Sequence, residues 1–238
     1  MTSSTNNSNP RQNRILAGLS TEEYERLHPH MEEVKLHLGD VLARPDEPIE
    51  YVYFPHRGTL SVIATMEDGS EIEVGVIGNE GMSGLPVVLG TNSMPLKTIV
   101  QIANGATRMR SDALREEVVR GGQFQKSLLC YGHAFFVQTA QTAACNRLHR
   151  LDGRLARLLL MCQDRTRSDE LELTHEFLAA MLGVRRAGVS EAAARLQAEG
   201  VISYSRARIH IVDRKGLEAA SCECYEVVKK EFERLFSN

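Results

Sequence analysis

Two adjacent arginines, Arg185 and Arg186, follow a glycine-containing turn and stand at the beginning of a predicted helix. An arginine guanidinium can donate two parallel hydrogen bonds to the edge of guanine, and the first residues of a recognition helix face the DNA major groove. Glu191, further along the same helix, could accept a hydrogen bond from the amino group of cytosine. The pattern predicts a DNA-binding surface. Bases are read by Arg185, Arg186, Ser190 and Glu191, and Gly188 lies on the same surface. Phosphates are held by Thr174, Arg206 and Arg208.

Two short helices and a hairpin must position these side chains. Thr174 is a good N-cap for the first helix, and Gly183 allows the left-handed backbone conformation that ends it. The second helix is predicted from about Arg186 to Glu199, followed by strands at Ile202–Tyr204 and Arg208–Val212. This spacing is typical of a helix-turn-helix with a wing. The alternative is an ordinary helical hairpin with two solvated arginines.

A long helix is predicted from Gln123 to about His149. Its apolar pairs recur about every seven residues, which is typical of helices that pair with one another. Small side chains along it would let two such helices approach closely. We therefore predict a homodimer whose interface contains Leu128, Leu129, Gly132, Phe135, Phe136, Thr139, Ala140 and Ala143. The alternative is a core helix that packs only on its own domain.

The distribution of apolar and polar residues is different on either side of this long helix. Between Val34 and Ile102, short apolar runs alternate with turn residues, which predicts a β-sandwich or roll. Residues 1–14 are polar, rich in Ser and Asn, and are predicted to be a disordered tail. At the other end, Lys215–Phe236 is predicted to be one terminal helix with Cys222 and Cys224 close to its start.

Composition excludes several classes of protein. The net charge of −3 means that any contact with DNA must come from a local basic patch. No apolar run approaches the 18 or so residues that span a bilayer, so no membrane partner is expected. Five cysteines without a framework spacing indicate a reduced cytoplasm, and a Cys-x-Cys without a second pair predicts free thiols and no metal. Catalytic motifs are lacking and the histidines are scattered along the chain, so an enzyme is not expected.

Three segments, in order, resemble the Crp/Fnr family of transcription regulators. Residues 36–63 are similar to the first strands of its cyclic-nucleotide-binding-type β-roll, residues 146–165 to its interdomain junction, and residues 183–218 to its winged helix-turn-helix. The resemblance implies an α+β fold: an antiparallel, jelly-roll-like β-roll effector domain over 15–122, a dimerisation helix over 123–150, and a winged helix-turn-helix domain with a C-terminal helix over 151–238. It also implies a homodimer that binds palindromic double-stranded DNA, with RNA polymerase as a further candidate partner.

The resemblance places the glycine-rich loop at the family's nucleotide-phosphate cassette. The implied effector pocket consists of Gly78, Glu80, Gly81, Lys97 and Thr98, with Glu80 in the role of the glutamate that binds the ribose hydroxyl. The arginine of that cassette is missing, and the nearby Lys97 does not reproduce a bidentate arginine. We therefore expect no binding of cyclic AMP, an unknown effector and no cofactor. The alternative is that the glycines only form tight turns.

The chain departs from the best-known members of the family in two places. Their recognition helix has the pattern Arg-Glu-x-x-x-Arg, whereas this chain has Arg186, Ala187 and then Glu191, which predicts a different half-site. The N-terminal cysteines that hold an iron–sulfur cluster in the oxygen-sensing members are lacking, so that chemistry is not expected. The rival interpretation is a small-ligand or cyclic-nucleotide sensor module whose helix-turn-helix serves protein interaction.

Overall fold

The computed structural model describes residues 10–205 and 208–236, and it has the predicted α+β architecture. An antiparallel β-roll comes first. Its two sheets have the strand orders β1-β7-β3 and β2-β6-β4-β5, and the strands are β1 (Glu32–Leu36), β2 (Val41–Ala43), β3 (Tyr51–Pro55), β4 (Thr59–Thr65), β5 (Glu71–Ile77), β6 (Lys97–Ile102) and β7 (Asn104–Arg110). Strands β4 and β5 are consecutive and form an antiparallel pair.

The segment before the roll is ordered from Pro10 onwards, so the predicted disordered tail over residues 1–14 is wrong for its last five residues. A 3-10 turn, Pro10–Gln12, leads into two short helices, α1 (Arg14–Ala17) and α2 (Thr21–Leu27). Asn13 is fully buried, and its Nδ2 donates to the carbonyl oxygens of Pro55 at 3.0 Å and Gly81 at 2.8 Å. These bonds fix the segment to the roll. Residues 1–9 lie outside the described residues.

Three helices follow the strands of the roll or interrupt them: α3 (Leu85–Val88), α4 (Ser111–Arg120) and the long helix α5 (Gln123–Leu148). The predicted extent of the long helix is confirmed. One side of α5 packs on the roll, where Phe124, Leu128 and Tyr131 are buried in the same cluster as the apolar residues of α1 and α2. The opposite side of α5 is exposed.

The C-terminal domain contains the predicted winged helix-turn-helix. Its elements are α6 (Leu151–Thr166), β8 (Glu170–Glu172), α7 (His175–Leu182), α8 (Arg186–Ala198), β9 (Ile202–Ser205), β10 (Arg208–Ile211), α9 (Arg214–Ala220) and α10 (Cys224–Leu235). Two features differ from the expectation. Strand β8 adds a third strand to the wing, in the order β8-β10-β9. The predicted single terminal helix is two helices, because the chain is extended at Ser221 and turns before Cys224.

The two domains pack tightly on each other. Ile63 and Val76 of the roll lie in the same buried cluster as the apolar side chains of α6, α7 and α8. Gly183, at the turn of the helix-turn-helix, lies against β5, and a Cβ atom at this position would be 2.7 Å from Cδ1 of Ile72. Among the described residues, no helix is long and apolar enough to cross a membrane.

Candidate DNA-binding and effector sites

Local sequence features build the helix-turn-helix as predicted. Thr174 caps α7, and its hydroxyl accepts a hydrogen bond from the backbone N–H of Phe177 at 3.1 Å. Gly183 ends α7 with φ of 61°, in the left-handed region that favours glycine. Val189 and Ala192 of α8 are fully buried against the preceding helices. This packing fixes the orientation of α8 relative to the preceding helices and leaves the opposite side of α8 exposed to solvent.

The first residues of α8 present their polar side chains to solvent. Arg185, Arg186 and Glu191 are exposed, as a DNA-reading surface requires. Arg186 forms an ion pair with Glu176 of α7, with 2.6 Å between Nε and Oε1. Both side chains are about two-thirds exposed, so the pair contributes little to stability, and exchange of Glu176 for a DNA partner costs little.

Two predicted members of the DNA-reading set lie on the protein side of α8. The Ser190 hydroxyl is 2.9 Å from Nδ1 of His175, whose ring stacks on Tyr204 of the wing with 4.0 Å between centroids. His175 of α7 therefore connects Ser190 of α8 to the wing, and the Ser190 hydroxyl is already engaged. Gly188 faces α6, where a Cβ atom would be 3.2 Å from Cδ2 of Leu151. This corrects the expected place of Gly188 on the DNA-facing side, and close helix packing explains the glycine.

The wing carries the predicted phosphate ligands. Arg208 is exposed at the start of β10 and its Nη2 is 3.3 Å from Oε1 of Glu172, on the neighbouring strand β8. Arg206, the other predicted phosphate ligand of the wing, lies outside the described residues. Arg186 and Arg208 therefore both have an exposed carboxylate as partner within the protein.

The glycine-rich loop after β5 packs against the protein's own helices α5 and α6. Glu80 Oε1 accepts a hydrogen bond from Nε of Arg165 at 2.7 Å, and both side chains are buried. A Cβ atom at Gly78 would collide with Cγ of Arg165, and one at Gly81 would collide with the ring of Tyr131. The glycines therefore allow the close approach of α5 and α6. This finding favours the structural interpretation of the loop.

The predicted pocket residues on β6 are not brought together with Glu80. Lys97 pairs with Ile63 across the sheet, whereas the loop begins next to Ile77, which pairs with Leu60. The two positions differ by three residues along β4, or about 10 Å. Lys97 Nζ is instead 2.5 Å from Oε1 of Glu71, and Thr98 is fully buried in β6. The prediction of one pocket containing Gly78, Glu80, Gly81, Lys97 and Thr98 is therefore wrong.

A cavity beside the loop is small. It has a volume of about 190 Å³ and is lined by side chains that include Arg14, Asp164 and Phe232 as well as the Glu80–Arg165 pair. Pockets for drug-sized ligands usually measure about 300–1,000 Å³. The cavity is therefore too small to enclose a nucleotide in this conformation.

The predicted interface residues of α5 divide between two faces. Leu128 is fully buried in its own domain, Gly132 lies against Leu85, and Phe135 covers Gly75. These three residues face their own domain, contrary to their expected place at the interface. Successive residues of a helix are about 100° apart, so Leu128 and Phe135 face the roll while Leu129 and Phe136 are exposed. Thr139 is half-buried and its hydroxyl donates to the carbonyl of Phe135. The exposed face includes Leu129, His133, Phe136, Ala140 and Ala143, at alternating spacings of four and three residues.

Comparisons with known proteins agree with both domains. The profile of the cyclic nucleotide-binding domain matches residues 33–115, and the profile of the Crp-like helix-turn-helix domain matches residues 153–220. Together the two profiles cover well over half of the chain. No curated protein matches the sequence significantly.

Solved structures share the whole fold at low sequence identity. FixK2 from Bradyrhizobium japonicum is 18% identical with a TM-score of 0.69, covering 81% of this chain and 98% of its own. The c-di-GMP-responsive global regulator CLP from Xanthomonas campestris is 15% identical with a TM-score of 0.65, covering 81% of this chain and 99% of its own. A CRP-family transcriptional regulator from Thermus thermophilus is 18% identical with a TM-score of 0.64, covering 79% of this chain and 96% of its own.

The order of the elements, the two domain profiles and the shared fold agree with one another. A cyclic nucleotide-binding-type roll precedes a long helix, and a Crp-like helix-turn-helix follows it. Members of the family with this domain pair are DNA-binding transcription factors and not enzymes. The chain belongs to the Crp/Fnr family of transcription regulators.

Proposed function

We propose that the protein is a homodimer that binds a palindromic DNA site, with one α8 helix in the major groove of each half-site. The observation that carries this proposal is the pair of exposed arginines, Arg185 and Arg186, at the beginning of α8. Arg186 reads a guanine and Glu191 a cytosine, while Thr174, Arg206 and Arg208 hold phosphates. Two recognition helices about 34 Å apart would contact successive turns of the same face of DNA.

The exposed face of α5 supports the homodimer. Leu129, Phe136 and Ala143 are seven residues apart, as are His133 and Ala140. This is the spacing at which two helices pack as a coiled coil. Phe136 is 69% exposed in the single chain, and pairing with a second α5 would bury it. The small side chains of Ala140 and Ala143 would let the two helix backbones approach closely.

The regulator is proposed to bind DNA without a cyclic nucleotide. The glutamate that the family's nucleotide binders offer to the ribose is here occupied by Arg165, and the nearest cation on β6, Lys97, is paired with Glu71. The effector, if one acts, binds elsewhere or displaces Arg165. We place the protein in the cytoplasm with its DNA, and RNA polymerase is the second macromolecular partner that we propose.

Selection of bound duplexes from a random pool tests the proposal. Purified protein without added ligand should recover a palindrome with two equivalent half-sites, and binding should weaken steeply with salt because phosphate contacts release counterions. Recovery of no motif, either alone or with cyclic nucleotides or cell extract, would refute DNA reading and favour a helix-turn-helix that docks protein. A motif that appears only with a cyclic nucleotide would refute the ligand-independent part.

A further inference from the structure

The structure brings together four side chains that the sequence pattern left apart. Cys145 lies in the last turn of α5 and His149 follows one turn later, while Cys222 lies between α9 and α10 and Cys224 is the first residue of α10. The two sulfur atoms of Cys145 and Cys222 are 3.5 Å apart, and Cys224 Sγ is 3.3 Å from Nδ1 of His149. One potential ligand atom from each residue lies within 4.8 Å of all the others. Three of the cysteines that were expected to be free thiols therefore form a compact cluster with His149.

This cluster has the composition and size of a tetrahedral zinc site. Three cysteines and one histidine form one of the common structural zinc sets, with Zn–S near 2.3 Å and Zn–N near 2.0–2.1 Å. In a tetrahedron, these bond lengths put two sulfur ligands about 3.8 Å apart and a sulfur and a nitrogen ligand about 3.5 Å apart. The two sulfurs are 3.5 Å apart and the sulfur and nitrogen are 3.3 Å apart, each within about 0.3 Å of these edges. Soft thiolates with one imidazole favour Zn²⁺ over the hard cations Mg²⁺ and Ca²⁺.

The groups around the cluster are those that orient metal ligands. Nε2 of His149 is 3.2 Å from Oε1 of Glu223, so the carboxylate holds the ring with Nδ1 directed at the cysteines. Such carboxylate–histidine pairs are typical around zinc. The side-chain amide of Gln141 donates to Cys224 Sγ at 3.1 Å, a contact that stabilises a thiolate. Cys145 and Cys224 are buried, whereas His149 and Cys222 are partly exposed and leave a path for the ion.

We propose that Cys145, His149, Cys222 and Cys224 bind one Zn²⁺ ion per chain in a closed, structural site. All four coordination positions come from the protein, so no position is left open for catalysis. The ion would link the end of α5 to the segment between α9 and α10 and to the first residue of α10. It would bridge the connection between α5 and α6. It would thereby fix the DNA-binding domain relative to the dimerisation helix, a consequence that rests on the proposed function.

Metal content is the first test. Protein purified under reducing conditions should contain one equivalent of zinc, and protein stripped by a chelator should take up one equivalent of Co²⁺ with the visible spectrum of a tetrahedral thiolate site. A stripped, reduced and folded chain that takes up neither ion would overturn the proposal. A disulfide between Cys145 and Cys222 in the protein as isolated, with no metal uptake after reduction, would also overturn it and indicate a redox pair.

The variant Cys222→Ser/Cys224→Ser should lose Co²⁺ uptake, because only two ligands remain. Cys130→Ser is the matched control, since Cys130 is exposed on α5 and is not part of the cluster, and it should bind one equivalent. Equal uptake by both variants would refute these ligands. Glu223→Gln keeps all four ligands and should weaken zinc binding about 10–100-fold. This milder variant keeps the test valid if the double variant does not fold.

Binding to the selected DNA site separates the two proposals. If zinc fixes the DNA-binding domain, the stripped protein should bind this site at least about tenfold more weakly, and added zinc should restore binding. Zinc content without any effect on DNA binding would leave the metal site intact and refute only its coupling to the domain. Zinc uptake by a protein that selects no DNA motif would refute the proposed function alone.

Discussion

Arg165 of α6 and Glu80 of the glycine-rich loop form a buried ion pair of 2.7 Å that joins the two domains. The guanidinium also donates to the carbonyl of Met161 at 3.0 Å and to the side chain of Gln138 in α5 at 3.2 Å. One arginine therefore contacts the roll, the long helix and the DNA-binding domain. Helix α6, which carries Arg165, is the first helix of the DNA-binding domain. A signal that changes the position of Glu80 would therefore act directly on that domain.

Removal of one partner of this pair should destabilise the fold. Arg165→Ala leaves the Glu80 carboxylate buried without its cation, which should lower the free energy of unfolding by about 3–5 kcal/mol. Urea unfolding measures this change. Arg208→Ala breaks an exposed pair with Glu172 and should cost less than about 1 kcal/mol. Equal effects of the two variants would contradict the structural role of Arg165.

Glu73 should make stability depend on pH. Burial raises its pKa to about 7, although Ser61 donates a hydrogen bond to it and Arg157 and Arg165 act in the opposite direction. A raised pKa in the folded state means that the folded chain binds the proton more tightly. The resulting stabilisation is complete below about pH 4.5 and is lost as the pH rises to about 7. The loss is on the order of 3 kcal/mol.

Glu73→Gln isolates this contribution, because glutamine retains an oxygen that can accept from Ser61. Urea unfolding of both proteins at about pH 5 and about pH 8 should show a smaller pH dependence for the variant. An unchanged difference between the two pH values would mean that Glu73 is ionised in the folded protein throughout.

Arg186 should determine one base pair of the half-site. Arg186→Ala should weaken binding to the selected palindrome by about 1–3 kcal/mol and relax the preference at that base pair. Competition between singly substituted duplexes measures both effects. Uniform weakening on every duplex would instead identify Arg186 as a phosphate contact.

Glu176 should compete with DNA for Arg186. Its carboxylate is 2.6 Å from the guanidinium in the free protein and adds negative charge beside the DNA-facing surface. Glu176→Gln should therefore raise DNA affinity by up to about fivefold, since exposed pairs of this kind are worth about 0.2–1 kcal/mol. The base preference should not change. Weaker binding by this variant would indicate that Glu176 positions Arg186 for DNA.

Phe136 should be essential for self-association. Phe136→Glu places a charge on the exposed face of α5 and should weaken dimerisation at least about tenfold. Sedimentation equilibrium measures this change. Leu38→Glu is the control, because Leu38 is similarly exposed (65%) but lies on the roll. A monomeric wild-type chain, or a dimer unaffected by Phe136→Glu, would contradict the proposed interface.

Features determined by neighbouring residues could be predicted from the sequence. Thr174 and Gly183 mark the ends of α7, and their capping geometry depends only on the adjacent turn. The long helix and the wing hairpin follow from local periodicity in the same way. The resemblance to a known family then supplied the order of the domains.

Contacts between distant segments could not be predicted. Glu80 and Arg165 are 85 positions apart, and Cys145 and Cys222 are 77 apart. No local pattern pairs them, since each pair joins segments that come together only in the folded chain. One signal was available for Arg165: it follows the largely apolar run over residues 155–162, which is typical of a buried helix, and a buried arginine needs a partner. The two faces of α5 could not be separated because leucine and phenylalanine pairs occupy both.

The shared core of Ile63, Val76 and the helices α6 to α8 has a consequence for folding. The boundary between the domains in the sequence does not correspond to a gap in packing, so neither domain can unfold without exposing apolar surface of the other to water. The full chain should melt as one cooperative unit. A fragment that begins at Leu151 would lose the partners of its buried face and tend to aggregate.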